Sequence, residues 1–168
     1  MSAFDDTCLI ETRASELIIP FIQSMSHGGR YVLTNKGNLS KDLQKVVGDA
    51  LINSGDGKIW GIEYKAEERN IHNNFFLETW SNLSRFTPGW MFNLNTDILL
   101  YLFLEEKDLY SLNFKNLRTW AFVNRRIYAF PEKQQGKYAQ RNDTWGRCVP
   151  IDVIKNEVGF NLYNLGAD

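Results

Sequence analysis

Cysteine and histidine are nearly missing from this chain. The two cysteines, Cys8 and Cys148, form no C-x-x-C pair, so a thiolate zinc site is not expected, and two free thiols in a reducing compartment are. The two histidines, His27 and His72, each lack a nearby cysteine or second histidine. They read as surface residues. His72-Asn73-Asn74 lacks the further histidine that an HNH pattern needs. No G-x-S-x-G is present, nor a glycine pattern of the Walker or Rossmann kind, which excludes those nucleophile and nucleotide signatures. No apolar run approaches the ~20 residues that span a bilayer. The first residues, Met-Ser-Ala-Phe-Asp-Asp, have neither a basic start nor an apolar stretch, so no secretory signal is expected and a cytoplasmic, membrane-free protein is. An excess of one charge is lacking too: 19 basic against 20 acidic residues give −1, unlike a globally basic nucleic-acid binder.

What is present is a core's worth of apolar side chains, 43% of 168 residues with 14% aromatic. That composition suits a globular chain, read here as one domain over 1–168. Its charge is uneven. From Lys115 to Arg147 eight basic residues face two acidic ones, a net of +6 that leaves −7 elsewhere. Such a lobe is either a footprint for phosphate or a solvated surface.

The most informative stretch is Gly48 to Lys65. Gly-Asp-Ala-Leu-Ile and Lys-Ile-Trp-Gly-Ile-Glu-Tyr-Lys flank Ser-Gly-Asp-Gly, the pattern of a β-hairpin. Residues two apart on a strand share a face, so Glu63 and Lys65 project together, with Asp49 opening the neighbouring strand. Two carboxylates can hold Mg²⁺ through oxygen, and a lysine beside them can orient a water or stabilise a phosphate.

The remaining elements follow from periodicity. Residues 9–24 predict a helix that Pro20 should kink or bound. In it Glu16 is either a rim charge or a carboxylate aimed at a site. Arg30–Thr34 predicts a strand, Asn35–Ser40 a turn, and Lys41–Val46 a short helix capped by Ser40. Asn74–Ser81 predicts a third strand, with Glu78 on the face of Phe76 and Trp80. Asn82–Asn95 predicts an irregular connection. Asp97–Leu104 is a buried strand or helical turn, and Leu109–Asn113 a strand pairing back. Phe114–Ala129 predicts a second long helix, Glu132–Asp143 an exposed loop, Thr144–Ile151 a late strand, and Asp152–Val158 a final helix. Trp80, Phe86, Trp90 and Phe92 either pack or stack on unpaired bases.

Gly48-Asp49-Ala50-Leu51-Ile52 with Ile62-Glu63-Tyr64-Lys65 resembles the motif of the PD-(D/E)XK nuclease superfamily, over residues 9 to 130. Asn74-Phe75-Phe76-Leu77-Glu78 is similar to a segment of its small bacterial and phage-type members. The resemblance implies a restriction-endonuclease-like α/β fold, a central mixed sheet flanked by helices on an αβββαβ-type core. It implies an Mg²⁺- or Mn²⁺-dependent hydrolase acting on DNA phosphodiesters. Asp49 and Glu63 would be metal ligands, Glu16 an accessory ligand and Lys65 the catalytic lysine, with Glu78 at the site's edge. Gly48 stands where the family usually has proline. DNA would lie along Arg118, Arg125, Arg126, Lys133, Lys137 and Arg141, and a homodimer would suit double-strand cleavage. The competing expectation is a non-catalytic nucleic-acid-binding or assembly protein on the same scaffold.

Overall fold

The computed structural model describes residues 3–34, 44, 46–135 and 143–166, the side chains of 3–8 apart. In chain order the elements are α1 (Ala3–Met25), β1 (Tyr31–Leu33), β2 (Ala50–Asn53), β3 (Ile59–Glu67), β4 (Asn74–Asn82), β5 (Thr87–Pro88), α2 (Trp90–Asn93), β6 (Ile98–Phe103), β7 (Asp108–Asn113), α3 (Phe114–Arg118), β8 (Glu132–Gln134), β9 (Trp145–Pro150), α4 (Ile151–Glu157) and β10 (Asn161–Asn164). The class is mixed α/β. The expected turn at 35–40, and its cap Ser40, lie outside the described residues. Of the short helix expected over Lys41–Val46, Gln44 and Val46 are described, and they are helical.

The chain divides into two compact units. The first comprises 1–70, 95–114 and 161–168 and holds a six-stranded sheet in the order β1-β2-β3-β6-β7-β10. Every neighbouring pair is antiparallel except β3 and β6, which run parallel. The hairpin expected around Ser54–Gly57 is present, pairing Ala50 with Ile62 and Asn53 with Ile59. One face of this sheet carries Ala50, Ile52, Ile62, Leu100, Leu102 and Leu109, packed in one cluster with Ala14, Ile18 and Ile22 of α1. The helix presents that stripe because residues four apart stack on one side. Pro20 does not end α1; it is exposed, so the turn it weakens lies on the outer side. All six residues of β6 are buried, which is why its sequence is an unbroken apolar run rather than an alternating one.

The second unit, 71–94 and 115–160, holds a four-stranded sheet in the order β5-β4-β9-β8. Its long pair is β4 with β9, Asn74 opposite Pro150 and Glu78 opposite Gly146. Phe75, Leu77 and Thr79 form the buried side of β4, and Phe76, Glu78 and Trp80 the half-buried side. Three expectations are corrected here. The strand at 74–81 belongs to this second sheet rather than to one central sheet. The long helix expected over 114–129 is broken into α3, a π-helical turn at Thr119–Val123 and a 3-10 turn at Arg126–Ala129; Arg125 between them has φ +56, which no α-helix tolerates. The exposed loop expected from Glu132 begins as strand β8, paired to β9.

Candidate metal centre

The register of β2 on β3 sets up the site. With Ala50 opposite Ile62 and Leu51 opposite Gly61, Asp49, the residue before β2, comes beside the Ile62–Tyr64 stretch of β3. Asp49 N–H donates to the Ile62 carbonyl at 2.7 Å, and its own carbonyl accepts from Thr34 N–H at 2.9 Å. The Asp49 carboxylate accepts from Tyr64 N–H at 3.1 Å and from Gln44 Nε2 at 3.2 Å. One backbone donor and one side-chain donor therefore fix its direction.

Two glycines make this approach feasible. Gly48 has φ +93, and a Cβ there would lie 2.5 Å from the Ile62 carbonyl oxygen. A Cβ on Gly61 would lie 2.5 Å from the Val47 carbonyl oxygen. The chain at 47–48 thus presses onto the backbone of β3, and only glycine fits. Proline, with φ held near −65°, cannot occupy position 48. Thr34 Oγ1 donates to the Gly48 carbonyl and closes the turn from the other side.

Glu63 is 5% exposed. Lys65 Nζ, on the same face of β3, forms an ion pair with its Oε1. Burial raises the Glu63 pKa to about 7; Lys65 opposes the rise, and the Asp49 charge and a hydrogen bond to Asp49 add to it. Burial is the largest cause because a low-dielectric surrounding penalises the charged form. The hydrogen bond raises the pKa because protonated Glu63 is its donor. The two carboxyls and the ammonium so occupy one place. One step along β3, Tyr101 Oη donates to Glu67 Oε1, and Tyr101 is the cross-strand neighbour of Lys65.

The structure gathers Asp49, Glu63 and Lys65, and within the same unit it does not bring Glu16 to them. Glu16 is exposed and two positions from both Ala14 and Ile18, about 200° round the helix from the buried stripe. It points outward rather than toward the sheet. Glu78 lies in the second unit and accepts from Trp90 N–H at 3.3 Å. Arg118 donates to the carbonyls of Leu94 at 2.9 Å and Phe92 at 3.4 Å. Arg126 forms a two-pronged pair with Glu157, Nε to Oε2 at 2.8 Å and Nη2 to Oε1 at 2.5 Å, and Trp120 Nε1 joins it at 2.7 Å. Both arginines are thereby committed within the fold. Arg125 and Lys133 are exposed, and Arg125 lies over the Tyr128 ring at 5.9 Å. Lys137 and Arg141 lie outside the described residues.

Sequence reasoning missed Gln44, Thr34, Glu67 and Tyr101. Period two along β3 signals Glu67, which follows Lys65 as Lys65 follows Glu63. For Gln44 and Thr34 no local signal exists, because both reach the site through tertiary pairing. Among the described residues no three histidine, cysteine, aspartate or glutamate side chains gather as a metal-holding group. Two carboxylates with water suit Mg²⁺, which keeps several waters and takes one or two carboxylates. Compared with family models, curated proteins and solved structures, the chain matches none. No helix among the described residues is long and apolar enough to cross a membrane.

Proposed function

We propose that this chain is a divalent-metal-dependent nuclease of the PD-(D/E)XK kind, hydrolysing DNA phosphodiesters in the cytoplasm. The observation that carries the reading is the meeting of Asp49, Glu63 and Lys65 on one sheet face. The donor set is all oxygen and suits Mg²⁺ or Mn²⁺. A bound cation of this kind would polarise the phosphoryl group and lower the pKa of an attacking water. Asp49 and Glu63 would hold it. Lys65 would direct its ammonium to a non-bridging phosphate oxygen or to the attacking water. Burial of Glu63 supports the reading, since two crowded carboxyls at low dielectric gain most from a shared cation.

A second reading rests on the same contacts. Lys65 paired with Glu63, and Asp49 held by Tyr64 and Gln44, leave the acids satisfied without a cation, as in a non-catalytic nucleic-acid-binding or assembly protein. Incubation with circular and linear, single- and double-stranded DNA in Mn²⁺ decides between them. Cleavage by the wild type, abolished by Asp49→Ala and by Lys65→Ala with unchanged circular dichroism, supports hydrolysis. Full cleavage by either variant removes the mechanism. Sedimentation of the wild type with and without duplex tests the homodimer.

A further inference from the structure

The four aromatic residues expected either to pack or to stack on bases meet different fates. Trp90 is 9% exposed and Trp80 is half-buried. Phe92 is stacked on Phe122, centroids 4.4 Å apart and planes 24° apart. Phe86 is 78% exposed at the tip of the turn that joins β4 to β5, and Arg85 beside it is exposed.

This tip is held rigidly. Phe86 N–H donates to the Leu83 carbonyl at 3.0 Å, and Arg85 N–H to Asn82 Oδ1 at 3.0 Å. Asp143, just before β9, clamps the turn. Its carbonyl accepts from Leu83 N–H at 3.0 Å. Its carboxylate accepts from Ser84 N–H at 2.7 Å, from Ser84 Oγ, from Trp145 Nε1 at 2.8 Å and from Gln134 Nε2 at 3.1 Å. These donors, Ser84 Oγ first, hold its pKa below the usual carboxylate range. Phe86 itself has φ +52 and is the one aromatic among the non-glycine residues of positive φ in the described chain. Glycine or asparagine is the ordinary occupant of such a position, and a bulky side chain there costs conformational energy. A large apolar ring that is strained, solvated and rigidly presented gives the fold nothing in return.

We propose that the Arg85–Phe86 tip is a stacking platform for an unpaired nucleobase, with the Arg85 guanidinium on the adjoining phosphate. The inference rests on the nucleic-acid reading above and extends it to a second place on the molecule. Charge favours this occupant over a protein or a lipid tail. The unit that carries the tip has ten lysines and arginines against five acidic residues, a net of +5 in a chain of net −1. A ring stacked on a base and a cation on phosphate is the usual grip on a single strand.

The test measures binding of a fluorescein-labelled oligothymidylate, and quenching of a 2-aminopurine oligonucleotide, in Ca²⁺ so that turnover is not required. Phe86→Gly is expected to melt no lower than the wild type, since glycine relieves the φ, yet to bind at least about fivefold more weakly. Phe86→Trp is expected to keep the affinity, and Arg85→Ala to reduce its salt dependence. Wild-type affinity in Phe86→Gly overturns the proposal and leaves the nuclease reading standing. Unchanged affinity together with a changed sedimentation coefficient overturns it in favour of a protein contact. Phe86-dependent binding with no cleavage under any condition upholds it while removing the hydrolytic reading. Absence of any nucleic-acid binding by the wild type overturns both.

Discussion

Asp49, the residue before β2, brings its carboxylate close enough to Glu63 of β3 that its charge and a carboxyl–carboxyl hydrogen bond are among the causes that raise the Glu63 pKa. The ionisation of Glu63 is therefore linked to folding.

The first prediction concerns pH. The folded pKa of Glu63, about 7, lies above its ordinary 4.5. A raised folded value means that the folded state binds the proton more tightly than the unfolded one. The resulting stability is fully present below about pH 4.5 and is lost as pH rises through about 7. Over that window this single group contributes a loss on the order of 2–3 kcal/mol. Urea unfolding of the metal-free protein between pH 4.5 and 8 should show this decline, and Glu63→Gln should flatten it. An unchanged slope in the variant would locate the titration elsewhere.

Metal linkage gives the second. At pH 8 millimolar Mg²⁺ or Mn²⁺ is expected to raise the melting temperature by mass action, a gain of roughly 2.7 kcal/mol at a hundredfold excess over Kd. EDTA should reverse it and Glu63→Gln should abolish it. An equal rise in the variant would assign the ion to another place.

Glycine 48 gives the third. Gly48→Ala is expected to destabilise by about 2–4 kcal/mol, because a Cβ would meet the Ile62 carbonyl at 2.5 Å in a backbone with φ +93. Gly48→Pro, which would force φ to about −65°, is expected to be worse still. Chemical denaturation checks both. A neutral Gly48→Pro would mean that the turn at 47–49 has another shape.

The fourth separates structural arginines from nucleic-acid contacts. Arg118→Ala removes donors to the Leu94 and Phe92 carbonyls, and Arg126→Ala removes the pair on Glu157. Glu157 has its pKa lowered to about 2, chiefly by Arg126 and then by Trp120. Each variant should lower the melting temperature while leaving the affinity of the folded protein for DNA unchanged. Weaker binding at an unchanged melting temperature would give these arginines the role first expected of them.

Much of the hairpin was legible because its determinants are local. The Ser-Gly-Asp-Gly turn fixes a short loop, and period two puts Glu63 and Lys65 on one face. The unbroken run at 97–104 likewise marked a buried segment, a strand or a helical turn, and Ile98–Phe103 is a strand with every residue buried. Elements set by distant pairing were not legible. Nothing within Asn74–Asn82 says that its partner is Trp145–Pro150. The π-helical turn at 119–123 keeps helix-like spacing, so Trp120 and Ala121 read as a continuing stripe. Glu16 was legible as a carboxylate near apolar residues, but its side of the helix depended on which stripe, Ala14–Ile18–Ile22, became the buried one.

Strand β10 forms one border of the six-stranded sheet. Asn161–Asn164 covers the outer hydrogen-bonding row of β7, so β7 gains this partner only once a segment far downstream of it has been made. During synthesis β7 stays bare until then, an open template for pairing with a neighbouring chain.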